Sequence, residues 1–279
     1  MNNIYFENIH KTAGHYPYLD FEMENINYIS HFHEEIELVY IVSGNVSANT
    51  ESGTILLKPD DICFFMPGEI HSFFSTQENK LYIFKLFSKT YIENIDFAFI
   101  RLKNNVIKPD NPIYTNFLSD IQKIAEEVST KQPGFEFAVQ TYANHIMMLI
   151  ARKLTYIQID FVQKKLFTTR LAFLEKVNTY IEINYSDPIS LDKISDHCNL
   201  SKYYFAHFFK TVTNMSFIEY ITLFRLKKAQ TMLMLSSESI TSIAEKCGFN
   251  NTRNFNRMFK KQFGKTPTEY KSKINSYKN

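Results

Sequence analysis

At 279 residues the chain has room for two domains of ordinary size, and a hydrophobic content of 44% excludes a disordered polypeptide. The net charge of +2 hides a division: from Arg170 onward 17 Lys and Arg face nine Asp and Glu (+8), whereas residues 1–169 carry 14 against 20 (−6). A basic half joined to an acidic one points to a nucleic-acid partner for the second half alone. Cys63, Cys198 and Cys247 lie far apart without C-x-x-C spacing, so neither a disulfide framework nor a zinc site is expected. The start, MNNIYFENIHKT, lacks the basic and apolar regions of a leader, and no apolar run approaches the ~20 residues of a spanning helix. A cytoplasmic protein is expected, with no cofactor.

Residues 4–87 read as short strands broken by turns. The run 36–42 (IELVYIV) is rich in β-branched and aromatic residues, as a buried strand is, and Ser43-Gly44-Asn45 after it is a hairpin signal. Further strands are predicted at 55–57, 62–66 and 81–86, separated by Pro59-Asp60-Asp61, Pro67-Gly68 and residues 77–80. Strands this short and regularly spaced argue a small β-barrel or sandwich. Around Pro112 the period changes. Ile113, Phe117, Ile121, Ile124 and Val128 fall on one helical stripe; beyond Pro133-Gly134, Ala138, Tyr142, Ile146, Leu149 and Ile150 form another. These make an antiparallel helical hairpin, one stripe covering the sheet and any apolar remainder offering a dimer face. Residues 158–169 show no clear period. The first domain is therefore placed at 1–160, a linker at 161–169 and a second domain at 170–279, opened by a helix over 169–185 that stops before Asp187-Pro188.

The second domain writes one pattern twice, SLDKISDHCNLSKYYFAHFFKTVTNMSFIEY from Ser190 and SITSIAEKCGFNNTRNFNRMFKKQFGKTPTEY from Ser239. Ile194 matches Ile243 and Cys198 matches Cys247; after one insertion Phe205 matches Phe255, Phe209 matches Phe259 and Tyr220 matches Tyr270. A repeat array needs about three units, so two copies of short helix, turn and longer helix read as two helix-turn-helix units. Asn199 and Gly248 fall at the turns, where left-handed backbone favours these residues, and Ser201 and Asn251 are placed as N-caps. Phe205, Phe208 and Phe209, and likewise Phe255, Met258 and Phe259, make the buried stripes.

The opposite faces carry Lys202, Tyr203, Ala206, His207 and Lys210 in one unit and Thr252, Arg253, Asn256, Arg257 and Lys260 in the other. Arg pairs with guanine and Asn with adenine in the major groove, so the second set suits base reading on double-stranded operator DNA. Lys210, Lys260, Lys261 and Lys265 read as phosphate contacts. Residues 215–235 form one continuous helix, a rod holding the two reading helices apart by about the 34 Å of successive groove faces. Arg225 on this rod is expected to be a structural hydrogen-bonder.

Residues 190–271 resemble the DNA-binding domain of the AraC/XylS family of bacterial transcription regulators. The match rests on Ser239-Ile240-Thr241-Ser242-Ile243-Ala244, Gly248-Phe249, Phe255, Phe259-Lys260-Lys261, Gly264, Pro267 and Tyr270, with Arg225, Ala229 and Leu233 on the connecting helix. Departures are Asn214 in place of Gly, Ser195 in place of Ala, and Asn254 where an aromatic residue is usual. The resemblance implies a homodimeric regulator, not an enzyme, that activates by touching RNA polymerase.

The sequence His31-Phe32-His33-Glu34-Glu35-Ile36-Glu37, followed after six residues by Gly44, has the spacing of a cupin's first motif, and residues 67–71 (PGEIH) resemble its second. Asn25 stands where a cupin has Gly. The resemblances together imply a multidomain α+β protein: a cupin-like β-barrel with a helical hairpin, then an all-α domain. In metal-dependent cupin enzymes His31, His33, Glu37 and His71 would hold a metal. In regulators of the AraC type the same His and Glu groups would bond the hydroxyls of a small ligand, commonly a sugar, with Tyr28, Tyr40 and Phe64 lining the cavity as stacking or apolar walls; in a third reading the histidines are simply satisfied at the barrel mouth. The rival readings are a cupin enzyme with an appended DNA module and a ligand-independent dimeric regulator whose barrel only dimerises.

Overall fold

A computed structural model describes residues 5–6, 18–24, 26–86 and 95–277. Most of the stretch read for a leader, Ile4 and Phe87 at the ends of the strand region, and Asn25 lie outside the described residues. The strands are β1 (Tyr5–Phe6), β2 (Tyr18–Glu24), β3 (Asn27–Phe32), β4 (Ile36–Ser43), β5 (Val46–Thr50), β6 (Gly53–Leu57), β7 (Ile62–Phe65), β8 (His71–Phe74), β9 (Lys80–Leu86), β10 (Ile100–Leu102), β11 (Val106–Ile107) and β12 (Tyr156–Gln158). The helices are α1 (Tyr114–Thr130), α2 (Phe135–Lys153), α3 (Phe161–Asn184), α4 (Leu191–His197), α5 (Lys202–Thr213), α6 (Phe217–Leu235), α7 (Ile240–Lys246), α8 (Thr252–Phe263) and α9 (Pro267–Tyr277). The chain divides into two compact units, one reaching Thr169 and the other beginning at Arg170. Among the described residues no helix is long and apolar enough to cross a membrane.

In the first unit two five-stranded sheets, ordered β1-β3-β8-β5-β6 and β11-β7-β4-β9-β2, enclose a core. Alternation along β4 sorts its side chains. Val39 and Ile41 enter the core between the sheets with Val46, Ala48, Phe65, Phe73 and Leu81. Ile36 and Leu38 face the other way, onto the helical hairpin, with Phe64, Phe84, Phe117, Ile121, Ile146 and Ile150. The stripe of α1 is as expected, and α2 buries Ile146, Leu149 and Ile150 as expected, joined by Val139, Ala143 and Met147, while Ala138 and Tyr142 are half-buried. Val139 and Met147 give the buried face more apolar area.

Two strand expectations change. The turn at Ser43-Gly44-Asn45 is not a hairpin, because β4 pairs with β7 and β9 whereas β5 pairs with β6 and β8. It carries the chain from one sheet to the other. Gly44 sits at φ +74°, and a Cβ there would fall 2.2 Å from the Glu78 carbonyl oxygen. The actual hairpin joins β5 to β6, with Thr50 paired to Gly53 across Glu51-Ser52. Its polar sequence, SANTESGT, carries no hydrophobic signal.

The segment 161–169, placed as linker, is helical: α3 begins at Phe161, eight residues before the expected start. Asp160 explains this. Its carboxylate accepts from the Gln163 amide (2.8 Å), while the Gln163 side-chain oxygen accepts from the Asp160 amide (3.3 Å), a reciprocal capping box.

In the second unit the caps follow the sequence closely. Ser201 and Asn251 accept from the backbone amides of Tyr204 and Asn254, opening α5 and α8. Asn199 and Gly248 hold the turns at φ +56° and +77°, and Asn214 and Gly264 end α5 and α8 in the same left-handed region. Asn214 thus serves where the family has glycine. Helix α6 starts two residues later than expected, because Ser216 and Glu219 form a second capping box. Gly248 has an added constraint: a Cβ would meet the Tyr185 carbonyl oxygen at 2.6 Å and Arg225 Nε at 2.9 Å. Gly248→Ala should therefore cost about 1–3 kcal/mol in chemical denaturation. Phe255→Ala, which empties a fully buried site beside Phe249 and Phe259, should cost about 3–5 kcal/mol. An undiminished melting temperature in the second variant would contradict this packing.

Candidate DNA interface and ligand site

Helices α5 and α8 repeat one burial pattern. Phe205 and Phe209 are buried in the first, Phe255 and Phe259 in the second, each with half-buried neighbours at the same offsets (Ala206 and Phe208; Asn256 and Met258). The remaining expected readers face solvent: Lys202, Tyr203, His207 and Lys210 on α5, Arg253, Arg257, Lys260 and Lys261 on α8, with Thr252 half-buried. Two are held from within the unit. Lys202 Nζ lies 2.9 Å from Asp192 Oδ2, and Arg257 Nη2 donates to Asn254 Oδ1 at 2.9 Å. Asn254, which replaces the family's usual aromatic residue, thus steadies the neighbouring arginine. The Oδ1 of Asn256 is enclosed without a hydrogen-bond partner, so a two-bond contact with adenine requires this amide to swing outward.

Both stripes are fixed to α6. Its first half packs Phe217 and Tyr220 edge-on against Phe209 at 5.7 and 5.1 Å. Its second half buries Leu226, Ala229 and Leu233 with Ile243, Ala244, Phe255 and Phe259. Nineteen residues at 1.5 Å each make a rod of about 28 Å. Arg225 donates through Nε to the Tyr185 carbonyl (2.7 Å) and through Nη2 to that of Asp187 (2.8 Å), the structural role expected of it.

In the first unit His31, His33, Glu37 and His71 converge between the sheets, each about 1% exposed, with one ligating atom apiece within 4.8 Å of the others. Glu37 is the hub. Its Oε2 lies 3.1 Å from His33 Nε2 and 4.0 Å from His31 Nε2, and its Oε1 lies 3.3 Å from His71 Nε2. Phe65 stacks on the His71 ring (4.2 Å between centroids), and Tyr28 meets His31 edge-on at 4.6 Å. His71 Nδ1 donates to the Glu69 carbonyl at 2.8 Å, which fixes the ring with Nε2 toward Glu37. Glu37 Oε1 and His71 Nε2 are both enclosed without a hydrogen-bond partner.

Tyr40 does not belong to this cluster. It stands three residues from Glu37 on β4, hence on the opposite face, where its hydroxyl donates to Asp60 Oδ1 at 2.9 Å and its ring packs by Tyr82. Phe64 likewise turns to the helices, against Phe117. Sequence reasoning missed Lys85, a lone cation in an apolar run of β9, whose Nζ sits 3.4 Å from Glu37 Oε2 at 3% exposure. Burial alone would raise the Glu37 carboxyl, but Lys85, His71, His31 and His33 together hold it well below the usual carboxylate range. This lysine also bears on the metal that the cupin resemblance brings up. The donor set is adequate in number and spacing, but the carboxylate at its centre is already matched by a buried ammonium, so the residues present do not fit a divalent ion.

A β-rich unit with a buried polar cluster, followed by two helix-turn-helix units on one rod, defines a DNA-binding regulator with a ligand-binding domain. Residues 19–87 match the model of the AraC-like ligand binding domain and residues 194–273 that of a helix-turn-helix domain. The Msm operon regulatory protein of Streptococcus mutans is 26% identical over 89% of this chain and 85% of its own length. The TetD protein of transposon Tn10 from Escherichia coli is 33% identical over 43% of this chain and 84% of its own. In structure, ToxT of Vibrio cholerae with a bound unsaturated fatty acid superposes with a TM-score of 0.61 at 12% identity, covering 91% of this chain and 94% of that one, which shows the shared fold. The chain belongs to the AraC/XylS family of transcription regulators.

Because folding lowers the Glu37 pKa below its ordinary 4.5, the stability it contributes is present above that value and is lost as the pH falls toward the folded-state pKa. Glu37→Gln should flatten this part of the stability profile in denaturant melts across acid pH. Parallel profiles for variant and wild type would show that Glu37 gains nothing from its neighbours.

Proposed function

We propose that the first unit binds a small polyhydroxylated ligand, a sugar or sugar derivative, through His31, His33, Glu37 and His71, and that binding sets the DNA affinity of a homodimer. The observation that carries this reading is the pair Glu37 Oε1 and His71 Nε2, enclosed 3.3 Å apart without a hydrogen-bond partner. A sugar hydroxyl both donates and accepts, so it can bond either atom. The cupin-like character of the motif supports the same site, and Phe137, 78% exposed on α2, supports the helical hairpin as the dimer face. A ligand that favours one arrangement of the dimer shifts the population toward DNA-competent spacing. On DNA, Arg253, Asn256 and Arg257 read bases, with Tyr203, Ala206, His207 and Thr252 adding contacts along the groove. Lys202, Lys210, Lys260 and Lys261 grip phosphates. The regulator works in the cytoplasm as an activator that touches RNA polymerase, as the family resemblance implies.

Thermal melting against a panel of monosaccharides tests the ligand reading. One member should stabilise the wild type, by about 2.7 kcal/mol at a hundredfold excess over its Kd, and fail to stabilise His71→Ala. No response from any member would favour the ligand-independent dimer instead. On DNA, Arg257→Ala should lower affinity for the best site by about 1–3 kcal/mol and relax preference at one base pair. An equal loss on random duplex would make Arg257 a phosphate contact.

A further inference from the structure

We propose that Lys85 takes the place of a metal ion in the His31–His33–Glu37–His71 cluster, so that this lysine, and not a lack of ligands, keeps the site metal-free. Strand register puts it there. Glu37 on β4 lies directly opposite Lys85 on β9 and opposite Phe65 on β7. Residues directly opposite on antiparallel strands project from the same face, so Lys85 cannot leave the cluster without breaking the ladder. Its ammonium is 3.4 Å from Glu37 Oε2, with both side chains buried beyond the reach of solvent screening.

The rest of the cluster is arranged as ligands of a cation are. Nε2 of His31, of His33 and of His71 all lie within 4.0 Å of the Glu37 carboxylate. His71 is steadied at its other nitrogen by the Glu69 carbonyl, the kind of outer support that metal-bound histidines have. Glu35, a second carboxylate, lies on the other edge of the His33 ring, 3.5 Å from Nδ1. A divalent ion bound through Glu37 Oε2 at about 2.0–2.2 Å would stand within about 5.6 Å of the Lys85 ammonium, in a dry interior. Ion and ammonium exclude one another. Remove the lysine charge, and one carboxylate and three imidazoles remain, a donor set suited to first-row divalent ions.

The inference does not depend on which organic ligand the unit binds, and its test uses metal alone. Full-length wild type, Lys85→Met and Lys85→Arg, purified without affinity tags, are dialysed against Co2+ and read by metal content, visible absorption and melting temperature. Lys85→Met should gain stoichiometric Co2+ with the absorption of a low-coordinate nitrogen–oxygen site, and its melting temperature should rise in Co2+. Wild type and Lys85→Arg should gain neither, and adding His71→Ala to Lys85→Met should abolish both. Stoichiometric metal in the wild type, or a folded Lys85→Met that takes no Co2+, overturns the proposal. If Lys85→Met does not fold, Lys85→Gln replaces it under the same criteria, and the wild-type measurement stands alone as a test.

Discussion

The second unit depends on one packing relation: two phenylalanine pairs, Phe205 with Phe209 and Phe255 with Phe259, seated on a single helix. Because α6 is apolar on more than one side, it belongs to both helix-turn-helix cores at once. Its buried residues run from Phe217 to Leu233. Neither reading helix can tilt without exposing part of its stripe or displacing the rod. Arg225 adds a polar tie, binding the rod to the carbonyls that follow α3, and Gly248 leaves room for it. What faces solvent on α5 and α8 is then set by what is fixed beneath.

The first unit is organised by charge as well as by apolar packing. Burying a carboxylate among aliphatic and aromatic side chains is costly unless it is paired. Glu37 meets that requirement through a cross-strand lysine and converging histidines.

Legibility in the sequence followed the range of the interaction. Local backbone demands were plain: Asn199 and Gly248 at left-handed turns, Ser201 and Asn251 as caps, and the period of α1. The capping box at Asp160 and Gln163 was also written in the sequence, but weak periodicity beyond it concealed the helix. Long-range pairing left no such trace. Nothing local tells that Lys85 stands opposite Glu37 or that β4 and β5 belong to different sheets, whereas the odd spacing of Glu37 and Tyr40 on one strand did put them on opposite faces. The metal-ligand spacing of His31, His33, Glu37 and His71 was visible, but the lysine placed beside Glu37 from β9 was not.

The central claim is that the two reading helices act as one rigid ruler on DNA. The most direct test takes the best site selected from random duplex and inserts about five base pairs, half a helical turn, between the segments protected by α5 and by α8. A ruler held by α6 loses one of its two contacts, so affinity should fall toward that of a half-site. Undiminished binding to the lengthened site would mean that the two units read DNA independently, and the role given to α6 would be wrong.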